Sequence, residues 1–202
     1  ADYAILCPKY SLILDKEMTA YTGLVTLVQL SACILGDKNR MSYDAGISYI
    51  KNVLEATKTL LKNPNDLDAR GIIMMGASLS TSSRIGIGKE EAYAYDIYEL
   101  EFLPEKLFGS SYRRSLTSIF PRFLEAMGKR HAEDVGKYYL DVFGFDSSIE
   151  ESSRKLVALF SDFGVDMYYN GIINREQVGC IPCDTELDEN EIFEMINGVI
   201  RK

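Results

Sequence analysis

The sequence predicts an all-α protein with about seven to nine helices and a short extended segment at its amino terminus. Three observations support this prediction. Apolar residues recur every three to four positions over most of the 202 residues, which is the period of a helix. Capping or helix-breaking residues stand where these patterns begin and end. No internal repeat, low-complexity tract or linker divides the series, so we expect one domain over residues 1–202.

The first third of the chain contains a short apolar segment and three helical patterns. Residues 3–7, which precede a proline, are predicted to form a buried strand or extended segment. A mostly buried helix is predicted from Met18 onward. Ser42 is predicted to cap the second helix, which the Asn-Pro-Asn sequence at 63–65 ends, and Asp66 begins the third.

The remainder begins with a less regular stretch, residues 80–111, which is rich in Gly, Ser, Tyr and Glu and is interpreted as a loop with short helices. Helical periodicity then returns over residues 112–127, 132–143 and 149–163. A last helix is predicted from Asp188. The last two patterns each have a capping residue followed three positions later by a glutamate, which favours a helix start.

Charge and composition exclude two classes of partner. The chain has 22 Lys and Arg against 30 Asp and Glu, a net charge of −8, whereas nucleic-acid binding requires a basic face. The longest apolar stretch, residues 23–36, is interrupted by polar residues and is shorter than the roughly 20 residues that a bilayer requires. With four cysteines at irregular spacing and no targeting pattern, we expect a cytoplasmic protein with reduced thiols.

Only one histidine, His131, occurs in the sequence. A metal site built on histidines needs two or three of them, usually with a carboxylate, so this class of site is excluded. A Ser-His-Asp or Cys-His arrangement would need His131 as its base, and no candidate nucleophile lies nearby in sequence. His131 lies in a polar segment, so we expect it to be exposed.

Cys180 and Cys183 have the Cys-x-x-Cys spacing of redox motifs and of half a zinc site. We interpret the pair as structural, because it follows no strand and acidic residues downstream would raise the thiol pKa. A redox pair and a metal site remain alternatives. The segment 86–91 resembles a phosphate-binding loop only in part and is predicted to be a turn. Tyr93, Tyr95 and Tyr98 are predicted to lie in the core or to line a pocket.

Several motifs of one family occur here in the same order. They are the segments 4–8, 18–23, 63–70 and 119–123 (Ile-Phe-Pro-Arg-Phe), together with the end of the chain from residue 187. Through these motifs the chain resembles the C-terminal domain of the iron-dependent alcohol dehydrogenases, most closely their butanol-dehydrogenase-like branch. The resemblance implies a dehydroquinate synthase-like helical domain. It also implies a preceding nucleotide-binding domain, which these 202 residues do not contain.

The resemblance also implies where a metal would bind. The family uses an Asp and a His four residues apart on the helix after Thr-Gly, and two later histidines. The corresponding positions are Val25, Gln29, Tyr98 and Tyr112, and none of them is Asp or His. The resemblance therefore implies that the metal site has been lost.

The family has a His-x-x-Glu-His run, whose first histidine position here is Tyr98. Glu101 and Phe102 stand at the last two positions of that run and are expected to line a remaining cleft. Phe102 and Val25 are expected to pack in the interior. An alternative register places the family's His-x-x-Glu-His run so that its two histidine positions are Glu91 and Tyr95, which are not histidines either.

Two functions are consistent with these observations. The first is a catalytically inactive relative that acts as a binding or scaffold module, with no cofactor and with a small molecule in the cleft. The second is the C-terminal part of an NAD(P)-dependent alcohol or aldehyde oxidoreductase whose nucleotide-binding domain lies elsewhere. In the family the segment Ala4–Leu6 lies near the domain junction, so we expect it to be exposed or to be covered by a second copy or a partner domain.

Overall fold

The computed structural model describes residues 5–82 and 84–201. This part of the chain contains ten α-helices and two short 3-10 helices, Pro8–Ile13 and Tyr93–Asp96. This part contains no β-strand, and the all-α prediction is confirmed. The α-helices are α1 (Lys16–Ile34), α2 (Arg40–Lys62), α3 (Leu67–Ser80), α4 (Ile97–Leu100), α5 (Phe102–Phe108), α6 (Tyr112–Met127), α7 (Ala132–Phe143), α8 (Ile149–Asp162), α9 (Arg175–Gly179) and α10 (Glu189–Asn197).

Helix α1 lies at the centre of the fold. Fourteen of its residues are buried, because apolar and small residues occupy nearly every side of it, as is typical of a helix inside a protein core. Helices α2, α3 and α6 pack against it, and α8 and α10 pack against α6. The buried apolar residues form one continuous core from α1 to α10. No helix in the described part of the chain is long and apolar enough to cross a bilayer.

Several predicted helix ends are confirmed. Helices α6 and α7 span the predicted residues. The side chains of Asp66, Ser148 and Asp188 accept hydrogen bonds from the first turns of α3, α8 and α10. Each of these bonds satisfies a backbone N–H that has no partner within its own helix.

The predicted start of the first helix is wrong by two residues, and the predicted cap of the second is wrong by three. Asp15 caps α1, and Asn39 caps α2 by accepting a hydrogen bond from the Ser42 backbone N–H at 3.1 Å. Asp and Asn are both favoured at the N-cap position. Each side chain here accepts a hydrogen bond from the backbone N–H three residues later. The Ser42 hydroxyl instead accepts a hydrogen bond from the Ile87 N–H at 3.1 Å.

The amino-terminal segment also differs from its prediction. Residues 5–7 form no strand, and Ile5 is 92% exposed, while residues 3 and 4 lie outside the described part of the chain. Pro8 begins a 3-10 helix that packs against α3, because proline fits the first position of a helix. The apolar run resembled a buried strand in composition, but no neighbouring strand is available here to pair with it.

Candidate functional site

Hydrogen bonds join two of the predicted ligand positions, Gln29 and Tyr112, to a serine on a third helix. Gln29 on α1 donates a hydrogen bond from Nε2 to the hydroxyl of Tyr112, the first residue of α6, at 3.3 Å. Ser80, the last residue of α3, donates from Oγ to Gln29 Oε1 at 3.4 Å. Val25 lies one turn before Gln29 and is buried. Gln29 and Tyr112 therefore lie together, but this geometry does not test whether they replaced metal ligands.

The phenols of Tyr98 and Tyr112 are held in their protonated form. Burial raises the pKa of Tyr98, and nearby Cys33 and Tyr112 would oppose its ionisation further. Burial also raises the pKa of Tyr112, and the Gln29 amide only partly counteracts this. Both side chains are therefore neutral near pH 7, where each can donate one hydrogen bond.

This donor set does not fit Fe²⁺ or Zn²⁺. Val25 offers no donor atom, the Gln29 amide is neutral, and neutral phenols are poor ligands for either ion. In addition, no three His, Cys, Asp or Glu side chains of residues 5–82 and 84–201 lie close enough together to hold a metal ion.

Glu101 is a buried acid beside this cluster. Its residue surface is only 3% exposed, and its Oε2 atom has no hydrogen-bond partner in the described part of the chain. Burial raises the pKa of Glu101 to about 7, with a smaller effect from the charge of Glu105. Its charge would in turn oppose the ionisation of Tyr112. Glu101 can therefore hold or release a proton near neutral pH.

Phe102 does not pack in the interior, and that prediction is wrong. It is 46% exposed at the start of α5. Successive residues of a helix point about 100° apart, so the inward position of Glu101 turns Phe102 toward the surface. Val25, by contrast, is buried as expected.

His131 is also placed differently from its prediction. Its side chain is 17% exposed, stacks on Tyr93 with ring centroids 3.8 Å apart, and lies between two carboxylates. The Nδ1 atom is 3.1 Å from Glu91 Oε2, and the Nε2 atom is 2.8 Å from Glu186 Oε2. Both carboxylates come from residues distant in sequence, so the local sequence around His131 does not reveal them.

The segment 86–91 forms a turn, as predicted, in which the Lys89 N–H donates to the Gly86 carbonyl at 3.1 Å. Lys89 covers the C-terminal end of α1, where its ammonium group donates to the Ala32 carbonyl and lies 3.9 Å from the centre of the Tyr95 ring. Burial lowers the pKa of Lys89 to about 8. A cation at this end of a helix offsets its negative dipole. Tyr95 is 42% exposed, whereas Tyr93 is buried.

Cys180 and Cys183 are free thiols after the short helix α9, which the sequence analysis missed although Asn174 and Gln177 form a capping box there. Cys180 is exposed and Cys183 is half-buried. Burial raises the pKa of Cys183, with a smaller effect from Glu99, so its thiolate is disfavoured. The geometry therefore gives no support to a redox or metal role for the pair.

No protein-family model and no curated protein matches the chain, but its structure resembles several solved structures. It matches NADH-dependent butanol dehydrogenase A from Thermotoga maritima with a TM-score of 0.80 and 14% identity, over 96% of this chain and 55% of that one. Sulfoacetaldehyde reductase from Bifidobacterium kashiwanohense, in complex with NAD⁺, matches with a TM-score of 0.72 and 12% identity, over 95% of this chain and 52% of that one. Iron-containing alcohol dehydrogenase from Corynebacterium glutamicum matches with a TM-score of 0.65 and 14% identity, over 96% of this chain and 55% of that one.

The chain thus spans about half the length of the structures it matches. These matches confirm the predicted fold, which is that of the helical domain of iron-containing alcohol dehydrogenases.

Proposed function

We propose that this chain, which has the helical-domain fold of the iron-containing alcohol dehydrogenases, is a metal-independent binding module and does not itself oxidise alcohols. The observation that supports the proposal is the hydrogen bond between Gln29 and Tyr112, at two positions where the family resemblance expects metal ligands. A metal ion in such an enzyme polarises the alcohol oxygen and so assists hydride loss. The neutral side chains present here cannot replace that charge.

The cluster is suited to a small, uncharged ligand that carries a hydroxyl or carbonyl group. The Tyr112 hydroxyl accepts the Gln29 hydrogen bond and retains its own proton for a ligand oxygen. Tyr112 is 38% exposed, so a ligand can reach it. Tyr98 is only partly buried, and its phenol is close enough to Tyr112 for the charge of Tyr112 to affect its pKa.

The proposal is tested by metal content and by restoration of the ligands. The purified chain is loaded with Fe²⁺ or Zn²⁺, desalted and analysed by elemental mass spectrometry. We expect much less than one metal ion per chain. A variant with Val25→Asp, Gln29→His, Tyr98→His and Tyr112→His should gain about one, since it supplies the hard oxygen and neutral nitrogens that these ions prefer.

One metal ion per wild-type chain would contradict the proposal. The double variant Cys180→Ser and Cys183→Ser would then show whether the metal binds to the thiols. If the restored variant folds and binds no metal, these four positions do not form the former site.

A second candidate is the C-terminal part of an NAD(P)-dependent alcohol or aldehyde oxidoreductase, and the state of Glu101 favours it. Reduction of an aldehyde requires a hydride from the nicotinamide and a proton for the carbonyl oxygen. Glu101, with a pKa of about 7, is an acid of suitable strength for this step, and its charge acts on the nearby Tyr112 hydroxyl, which would donate the proton. Consumption of reduced nicotinamide with butanal, in the longest natural protein that contains this chain, would favour this candidate if Tyr112→Phe abolished it.

A further inference from the structure

A small cavity lies apart from the cluster around Gln29 and Tyr112. It is lined by the 3-10 helix Pro8–Ile13 and the residue after it, together with α1, α2 and α3, is partly open to solvent, and has a volume of about 240 Å³. Drug-sized ligands occupy pockets of about 300–1,000 Å³, so this cavity suits a smaller molecule. Its wall is mainly apolar and includes Leu14, Leu60, Ile73, Met74 and Ala77.

One charged side chain, Arg70 of α3, lines the same cavity. The residue is only 3% exposed. Its Nε donates to the Pro64 carbonyl at 2.8 Å, and its Nη1 donates to the Ser11 carbonyl at 2.5 Å. A guanidinium has five N–H donors, and these two bonds use two of them.

The Arg70 guanidinium has no counter-ion among residues 5–82 and 84–201. No Asp or Glu in the described part of the chain forms an ion pair with it, and burial, which lowers its pKa, is not opposed by any neighbouring charge. Buried cations are normally paired, because an isolated charge loses its hydration without compensation. The carbonyl groups of Ser11 and Pro64 compensate only part of this loss.

We propose that this cavity binds an aliphatic monocarboxylate, with its carboxylate on Arg70 and its hydrocarbon chain against the apolar wall. Arginine binds carboxylates through two parallel N–H donors, and three donors remain free here. An inorganic phosphate is a poorer fit, because one cation would face a dianion and the apolar wall would gain no contact. A neutral alcohol of the same length would leave the charge unpaired.

The hydrogen bonds of Arg70 also link the 3-10 helix to the connection before α3. The test must therefore distinguish a purely structural role of Arg70 from ligand binding. Two variants do this. Arg70→Gln removes the charge, whereas Ala77→Leu fills the cavity from α3 and leaves the contacts of Arg70 in place. Arg154→Gln is the matched control, because Arg154 is an exposed arginine on α8.

The measurement is calorimetric titration of the full chain with hexanoate and, separately, with hexan-1-ol. We expect hexanoate to bind the wild type and Arg154→Gln equally. Binding to Arg70→Gln should be weaker by about tenfold or more, because a hydrogen bond to a charged group contributes roughly that factor. Binding to Ala77→Leu should be weaker by about the same factor or more, because the larger side chain occupies the volume of the ligand's hydrocarbon chain. Hexan-1-ol should bind the wild type more weakly than hexanoate by a similar factor.

Absence of hexanoate binding to the wild type would overturn the proposal. So would equal binding by Arg70→Gln, equal affinity for the acid and the alcohol, or a comparable loss in Arg154→Gln. If Arg70→Gln fails to fold, Ala77→Leu and the comparison of acid with alcohol still decide the question, since neither changes the bonds of Arg70.

Discussion

A carboxyl group that is buried, such as that of Glu101, binds its proton more tightly in the folded chain than in the unfolded chain. The pKa of Glu101 rises from 4.5 to about 7 on folding. Between these values the folded state keeps a proton that the unfolded state has lost, so the free energy of unfolding falls as the pH rises through this window. Above it, the charged form carries the full cost of burial.

We therefore predict that Glu101→Gln stabilises the chain at about pH 8 by roughly 1–3 kcal/mol, and has little effect below about pH 4.5. Urea unfolding of both proteins over this pH range measures the difference. Glu99→Gln, which removes an exposed carboxyl two residues earlier, is the control and should leave the pH dependence unchanged. An equal stabilisation at every pH would show that Glu101 does not titrate in this window.

For single residues, the sequence predicted which kinds of site are excluded better than it predicted which side chains are in contact. The histidine count alone excluded a metal site made of several imidazoles, and the family resemblance singled out Gln29 and Tyr112, whose side chains are hydrogen-bonded to each other. It did not predict that His131 lies between Glu91 and Glu186. Those partners are distant in sequence and are brought together only by the packing of the helices that carry them.

Among the elements, the turn at residues 86–91 depends on one backbone conformation. Gly86 has φ +74°, and a Cβ atom there would lie 2.1 Å from the Cys33 carbonyl oxygen. Only glycine fits such a position, because other residues would meet both backbone strain and a collision with backbone atoms. This close approach lets Lys89 reach the end of α1.

Gly86→Ala should consequently lower the free energy of unfolding by at least about 3 kcal/mol. Gly109→Ala is the matched control, since Gly109 has φ +64° but no atom within 4 Å of the added Cβ, and it should cost only about 1–2 kcal/mol. Denaturant unfolding of the two variants gives the comparison. Equal losses would show that the close approach to Cys33 has no energetic weight.

Helices with a strong local signal were predicted best. Helix α7 has an apolar period on one face and glycine at its end, and its bounds were predicted correctly. For residues 3–7 the predicted buried strand is wrong over the described residues 5–7, because a short apolar run favours a strand or an extended segment equally well. What decides between them is contact with α3, which no local pattern contains.

At the scale of the whole molecule, large apolar side chains remain exposed along the first 3-10 helix. Tyr10 is 82% exposed and Ile13 is 88% exposed, near the segment that we expected a second copy or a partner domain to cover. Single exposed apolar residues are common, but a cluster on one face favours association.

We predict that the isolated chain forms dimers through this face, because self-association is the only way for it to bury these residues when no partner is present. Light scattering should give about twice the mass of one chain at high concentration. Ile13→Lys should restore the monomer, whereas Ile172→Lys, at a site 94% exposed elsewhere, should not. A wild-type monomer at every concentration would contradict self-association.

The stacking of His131 on Tyr93 gives this molecule a natural spectroscopic probe. Because the chain has a single histidine, its imidazole protons produce one isolated pair of NMR signals that need no assignment. The neighbouring aromatic ring would shift those signals strongly while Glu91 and Glu186 hold the imidazole in place. Loss of the shift would report the separation of three distant parts of the chain before the helices themselves unfold.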